Sequence, residues 1–187
     1  MKKIIRNVCR PVLLGVAVLT AGCATNASAP SGYRASQDDF VQIYELFARY
    51  NYAINVEDGM AWANTFTVDG VFQDPSNCAI GPKALADVVG HARHPAQELR
   101  VFHYSTPGVI TYADRDHATV HSTVFLVSET GFGKPGGIAI TGTYDDHLRR
   151  VDGQWKFAYR FVQRPNRGPP IPCAAQAASG FRYLDSP

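Results

Sequence analysis

The 187 residues suffice for one domain with a real core, and 45% hydrophobic with 18% charged residues is an ordinary globular balance. The formal charge of +2 comes from Lys2, Lys3, Arg6 and Arg10 at the extreme N-terminus; from Cys23 onward the chain carries 14 basic against 16 acidic residues, or −2. No basic stripe remains, so the composition gives no support for a nucleic-acid partner.

The four cations head a leader. Val12 to Leu19 is an apolar run too short to span a bilayer, and it ends in Leu19-Thr-Ala-Gly-Cys23. This resembles a bacterial lipobox, in which Cys23 becomes the lipidated first residue. A rival cut after Ala27-Ser-Ala29 would leave Pro30 first. Either cut exports the protein. The lipobox reading predicts residues 1–22 as signal peptide, 23–35 as a small, polar tether, and a lipid-anchored protein of the bacterial envelope. Ala24 after the cysteine points to the periplasmic face of the outer membrane; otherwise the protein is secreted. Cys9 is lost with the leader. Cys78 and Cys173 remain in an oxidising compartment, where an even pair reads as a disulfide; the alternative is two buried thiols. The chain-entropy model gives such a long closed loop about 4–5 kcal/mol.

Ser36-Gln-Asp-Asp39 reads as a capping box with Asp in place of Glu, and Phe40, Ile43, Tyr44, Phe47 and Tyr50 recur at helical spacing behind it. The phenols of Tyr50 and Tyr52 fall in the last turns, where they could reach a cavity mouth. Asn55-Val-Glu-Asp58 breaks the helix. Asp58 caps a short second helix carrying Met60, Trp62, Ala63 and Phe66. A strand over Val71-Phe-Gln73 follows, and Gly81-Pro82 opens a third helix with Ala84, Leu85, Val88 and Val89 on its buried face. His91 and His94 have ligand-like spacing, but Pro95 follows and no third ligand is near, so no metal is expected.

Leu99 to Tyr112 and His117 to Val127 read as two long antiparallel strands around the polar turn Ala113-Asp-Arg-Asp116. Pro107-Gly108 interrupts the first, which predicts a bulge or bend, with His103 just before it and aimed inward. The second strand is apolar on both faces, so both are expected to be covered, one by helices and the other by a second copy. Ile138 to Arg149 and Gln154 to Val162 form a further hairpin around Val151-Asp-Gly153. From Arg164 the chain is Pro- and Ala-rich without pattern.

Arg49-Tyr50, Asn55-x-x-Asp58, Phe66-Thr-Val-Asp69, Arg100-x-x-His103, Gly142-Thr-Tyr-Asp145 and Asp152-Gly-Gln-Trp155 through Arg160 occur in an order and spacing that resembles the SnoaL-like branch of the NTF2-like superfamily. The resemblance implies an α+β fold over residues 36–163, a conical barrel with three N-terminal helices packed on a curved antiparallel sheet, followed by an irregular tail over 164–187. Relatives in that branch include scytalone dehydratase, bile-acid dehydratase, polyketide cyclases and steroid isomerases. It implies a pocket for a small hydrophobic molecule, a homodimer and no cofactor.

In the dehydratases a His on the first long strand works beside an Asp at the end of the first helix. His103 matches the His, but Asn55 stands at the Asp position. Tyr50 matches a pocket Tyr and Arg160 falls near a pocket Arg, with Phe72 and Tyr144 as further substrate-facing candidates. Leu126 or Val127 stands where those enzymes place a second His or Asp. Asn can orient an imidazole but cannot stabilise its cation by charge. The expectation is therefore a pocket protein that is a dehydratase or isomerase with a degraded Asp–His dyad, in which His103, Tyr50 and Asn55 are catalytic; the alternative is a non-catalytic ligand-binding envelope lipoprotein. His121 and Asp145 read as strand residues with structural roles, and Trp62 and Phe102 as core.

Overall fold

A computed structural model describes residues 32–75, 78–91, 100–129, 136–164 and Cys173. The leader with Cys23, the tether up to residue 31, and the tail beyond residue 164 apart from Cys173 lie outside the described residues, as does His94.

Helix α1, Gln37–Asn55, begins at the capping box: Asp39 N donates to Ser36 Oγ at 3.1 Å and Ser36 N donates back to Asp39 Oδ2 at 2.8 Å. The shorter Asp serves because it also accepts from Tyr33 OH at 2.7 Å and from Arg150, and lies 3.3 Å from Trp155 Nε1. One carboxylate thus caps the helix and fastens its first turn to the sheet. At the other end Glu57 takes the left-handed conformation at φ 63°, with Glu57 N bonding Ile54 O and Asp58 N bonding Ala53 O. This is a Schellman closure without the usual glycine. Asp58 then caps α2, Gly59–Ala63, through Ala61 N at 2.9 Å.

Strand β1, Phe66–Gln73, is longer than the sequence reading and leads into a short strand that reading missed, β2, Cys78–Ile80. Helix α3 spans Gly81–His91. The expected first long strand is two, β3 at Arg100–Ser105 and β4 at Val109–Tyr112. Both pair antiparallel with β5, His117–Glu129. The break falls at Pro107-Gly108, as the missing donor predicts. A Cβ at Gly108 would sit 2.3 Å from His121 O, so the backbones approach there as only glycine allows. Strands β6, Gly137–Val151, and β7, Gln154–Gln163, close the hairpin through Asp152 and Gly153, both at positive φ.

The strands form one curved sheet in the order β2-β1-β7-β6-β5-β3, with β4 also on β5. It departs from a closed antiparallel barrel in two ways: β1 runs parallel to β7, and β2 and β3 are open edges. Helix α1 lays Ile43, Leu46, Phe47 and Tyr50 on the concave face, against Val120, Val124, Tyr144, Leu148 and Phe157. On the convex face Val71, Tyr159 and Phe161 are buried around Cys173, with Gln73 buried beside them and accepting from Tyr159 OH at 2.8 Å. That cysteine is bonded to Cys78 across 95 residues of chain, so the expected disulfide is present. Elsewhere on the convex face of the single chain His121, Thr123 and Phe125 of β5 are exposed.

Candidate functional site

His103 lies on the edge strand β3, opposite Leu126 of β5. Its ring shares the concave side with the partly buried Leu126 and the fully buried Val124, while Tyr104 points out at 53% exposure. The residue across the ladder is therefore apolar. Burial, and then the positive field of Arg164, push the imidazole pKa down to about 4. The ring is neutral at pH 7, and its Nδ1 is sealed from solvent without a hydrogen-bond partner among the described residues.

Asn55 reaches His103, and two of its amide hydrogen bonds meet the backbone there. His103 N donates to Asn55 Oδ1 at 2.7 Å, and Asn55 Nδ2 donates to His103 O at 2.9 Å. One turn earlier Asn51 repeats the device on Ser105, with Nδ2 donating to Ser105 O at 2.6 Å and Ser105 Oγ donating to Asn51 Oδ1 at 2.9 Å. A strand edge presents unpaired N–H and C=O groups. Two asparagines at i, i+4 on α1 thus meet the outward groups of β3 and stand in for a further strand. Asn55, expected to orient the imidazole, clamps the strand that carries it.

Tyr50 does not reach a cavity mouth. At 1% exposure it is packed against Trp62, Phe66, Tyr144 and Phe157. Arg160 lies beside it, fully buried, with its guanidinium carbon 3.9 to 4.6 Å from the ring centres of Phe157, Tyr144, Tyr50 and Phe47. Arg160 Nε and Nη2 donate to the two carboxylate oxygens of Asp146 at 2.8 and 2.7 Å. Burial opposes the guanidinium charge, but Asp146 outweighs it and raises the pKa of Arg160; burial also raises Asp146, partly offset by Arg160. Burial lifts both phenols, Tyr144 furthest. The charge expected to meet a substrate is therefore taken up by Asp146. Phe72 is 9% exposed and packs edge-on to Trp62 at 5.3 Å. Tyr50, Tyr144 and Arg160 come together in one interior cluster, while His103 and Asn55 meet at the sheet edge.

Asp145, next to Asp146, faces the other way. It contacts His121 Nδ1 at 2.5 Å and accepts from Gln163 at 2.9 Å, on the convex surface. Among the described residues no group of three or more His, Cys, Asp or Glu is placed to hold a metal ion, and no helix is long and apolar enough to cross a membrane. Asp146 and Asn51 were missed in the sequence. Strand alternation carries the first and the i, i+4 spacing with Asn55 carries the second, although neither signal names the partner.

Helices on a curved, open sheet are the fold of several solved structures. An NTF2-like protein with a cystatin-like fold from Novosphingobium aromaticivorans superposes with a TM-score of 0.61 at 21% identity, covering 75% of this chain and 88% of that one. A putative scytalone dehydratase from the same organism superposes at 0.59 with 23% identity, covering 73% and 95%. Rv3472 from Mycobacterium tuberculosis, a protein of unknown function, is 31% identical over 75% of this chain and 76% of its own, with a TM-score of 0.60. Residues 36–160 match the SnoaL-like domain, and the chain belongs to that family. No curated protein matches the sequence.

Proposed function

We propose that this chain is an exported, lipid-anchored SnoaL-like protein that holds a small hydrophobic molecule between its helices and the concave face of its sheet, without turning it over. One observation carries the non-catalytic half of this reading: Asn55 uses its amide on the backbone of His103, and a residue with no charge stands where the dehydratases carry Asp. A general base works best with a pKa near the working pH, and an imidazole held near 4 with Leu126 across from it is a weak one. The family supports the ligand class. The leader supports export and acylation of Cys23. Exposed Tyr104, Val109 and Phe125 support a homodimer.

Native mass spectrometry of protein purified from its own envelope tests the main reading. The expected spectrum shows a retained organic molecule that is lost on denaturation; a bare chain in every preparation counts against it. Incorporation of an alkyne-tagged palmitate, abolished in Cys23→Ser, tests the anchor. A second reading keeps His103 as the proton carrier of a cofactor-independent dehydratase or isomerase, with Tyr50 orienting. It is favoured by the unpartnered Nδ1, which leaves a ring nitrogen for a substrate proton. Assay of wild type and Asn55→Asp on hydroxylated polycyclic substrates separates the two: activity only in the variant supports the binder, and activity in the wild type supports the enzyme.

A further inference from the structure

One side of helix α1 meets two different surroundings. Phe40, Tyr44, Ala48, Asn51 and Asn55 recur at helical spacing, so they share a face. Asn55 and Asn51 are taken up by β3, through His103 and Ser105. That strand ends at Ser105. Toward the start of the helix the same face opens to solvent. Ala48 is exposed, and Phe40, Tyr44 and the flanking Val41 are between 42% and 49% exposed. The rings of Phe40 and Tyr44 lie 4.5 Å apart. A contiguous apolar patch on a surface marks a place of contact.

The position of the patch in the chain indicates what it meets. Tyr33 OH donates to Asp39 at 2.7 Å and its ring lies 6.0 Å from that of Tyr112. The incoming chain is thus fastened at the first turn of α1, and Asp39 directly precedes Phe40. Tyr33 is ten positions after Cys23, and ten residues span at most about 35 Å even when fully extended. Acylation of Cys23 would therefore hold the start of α1 within about that distance of a bilayer. The exposed charges around the patch balance, Arg34 and Arg49 against Asp38 and Glu45, so headgroup charge neither draws it in nor repels it. Aromatic side chains are at home in the interfacial zone, where one end is apolar and the other wet. A short tether also supplies a high effective concentration, so a small contact suffices. A second copy would need about 20–30 residues a side for a stable interface.

We propose that Phe40, Val41 and Tyr44 dock in the interfacial zone of a zwitterionic phospholipid bilayer and lay the start of α1 on the membrane. The proposal rests on the lipid-anchored reading above and adds an orientation to it. Helix α1 covers the concave face of the sheet, so the convex face stays free.

Brominated-lipid quenching of the anchored mature chain tests this. Cys9 leaves with the leader and Cys78 is bonded to Cys173, so Cys23 is the one thiol free for coupling to a maleimide-headgroup lipid in phosphatidylcholine vesicles. Trp62 and Trp155 are fully buried and serve as an unquenched background. A Phe40→Trp reporter, with its melting temperature as the check on folding, is expected to be quenched at least about twofold by bromine high on the acyl chain. Quenching should persist between about 0.05 and 0.5 M salt and disappear when Val41→Ser and Tyr44→Ser are added. A Phe125→Trp reporter on the convex face should stay bright. An unquenched Phe40→Trp, equal quenching at Phe125→Trp, or quenching abolished by salt overturns the docking surface. So does self-association of the unanchored chain that is lost in Phe40→Ser with Tyr44→Ser, which would assign the patch to a second copy. Because the maleimide lipid replaces natural acylation, these outcomes leave the anchor standing. Absence of palmitate on Cys23 in cells overturns the anchor and the docking together.

Discussion

Asp145 and Asp146 are consecutive on β6, and the two do different work. Asp146 is 2% exposed and locked to Arg160 inside a ring of four aromatic side chains. Asp145 faces solvent with His121 and Gln163. Strand alternation alone sends them to opposite faces, and burial then decides what each is worth. Removing one member of a buried pair strands the other charge in low dielectric, whereas an exposed pair exchanges its partner for water at little cost.

The largest expected effect follows from the inner pair. Asp146→Asn should cost about 3–5 kcal/mol in chemical denaturation, because Arg160 keeps its charge without its counterion. The double change Asp146→Leu with Arg160→Met sharpens the point: it should recover most of that loss, and a double variant no better than the single one would show that the ring of aromatics needs the charges. Asp39 comes next. Burial would raise its pKa, but the Tyr33 hydroxyl, Ser36 and Arg150 outweigh that and hold it well below the ordinary carboxylate range. A folded-state pKa below the unfolded value of about 3.9 contributes stability that is present above that pH and lost as pH falls through the folded value. Asp39→Asn should lower stability at pH 7 by about 2–3 kcal/mol and flatten the acid limb of the stability curve.

Asn55→Ala ranks third, at about 1–3 kcal/mol, since it opens two backbone groups on an edge strand that water partly reaches. Hydrogen exchange at His103 N should quicken while exchange in β6 is unchanged. His103 itself shapes a different pH window. Its folded pKa of about 4 lies below the ordinary 6.5, so the unfolded chain binds the extra proton first and stability falls as pH drops from about 6.5 to 4. A His103→Phe variant should lose that slope in thermal melts taken across the window. The outer pair gives the smallest change: His121→Ala should move stability by less than about 1 kcal/mol, and a larger loss would mean that the exposed dyad is coupled to something beyond Asp145 and Gln163.

Local signals carried much of this fold. The capping box at Ser36 and Asp39, the cap at Asp58, the strand break at Pro107-Gly108 and the turn at Asp152-Gly153 each depend on a few neighbouring residues, and each lies where the sequence puts it. The site was less legible. His103 is inward on its strand, as alternation implies, but the chemistry around it depends on partners distant in the chain: Asn55 is 48 residues away. The resemblance placed Asn55 beside the imidazole, and side-chain geometry placed it on the peptide. Arg160 was read as a substrate contact because nothing local announces that residue 146 stands opposite it across the β6–β7 hairpin.

The order of residues by itself determined where helices begin, where strands break and which side chains alternate inward, because those outcomes follow from backbone sterics, donor count and periodicity within a few residues. Tertiary structure decided which aspartate is buried, that Asn51 and Asn55 close the sheet edge, that Arg160 is already neutralised and that Arg164 is the arginine whose field reaches His103. Those assignments depend on which distant groups share one low-dielectric space, and only the folded register brings them together.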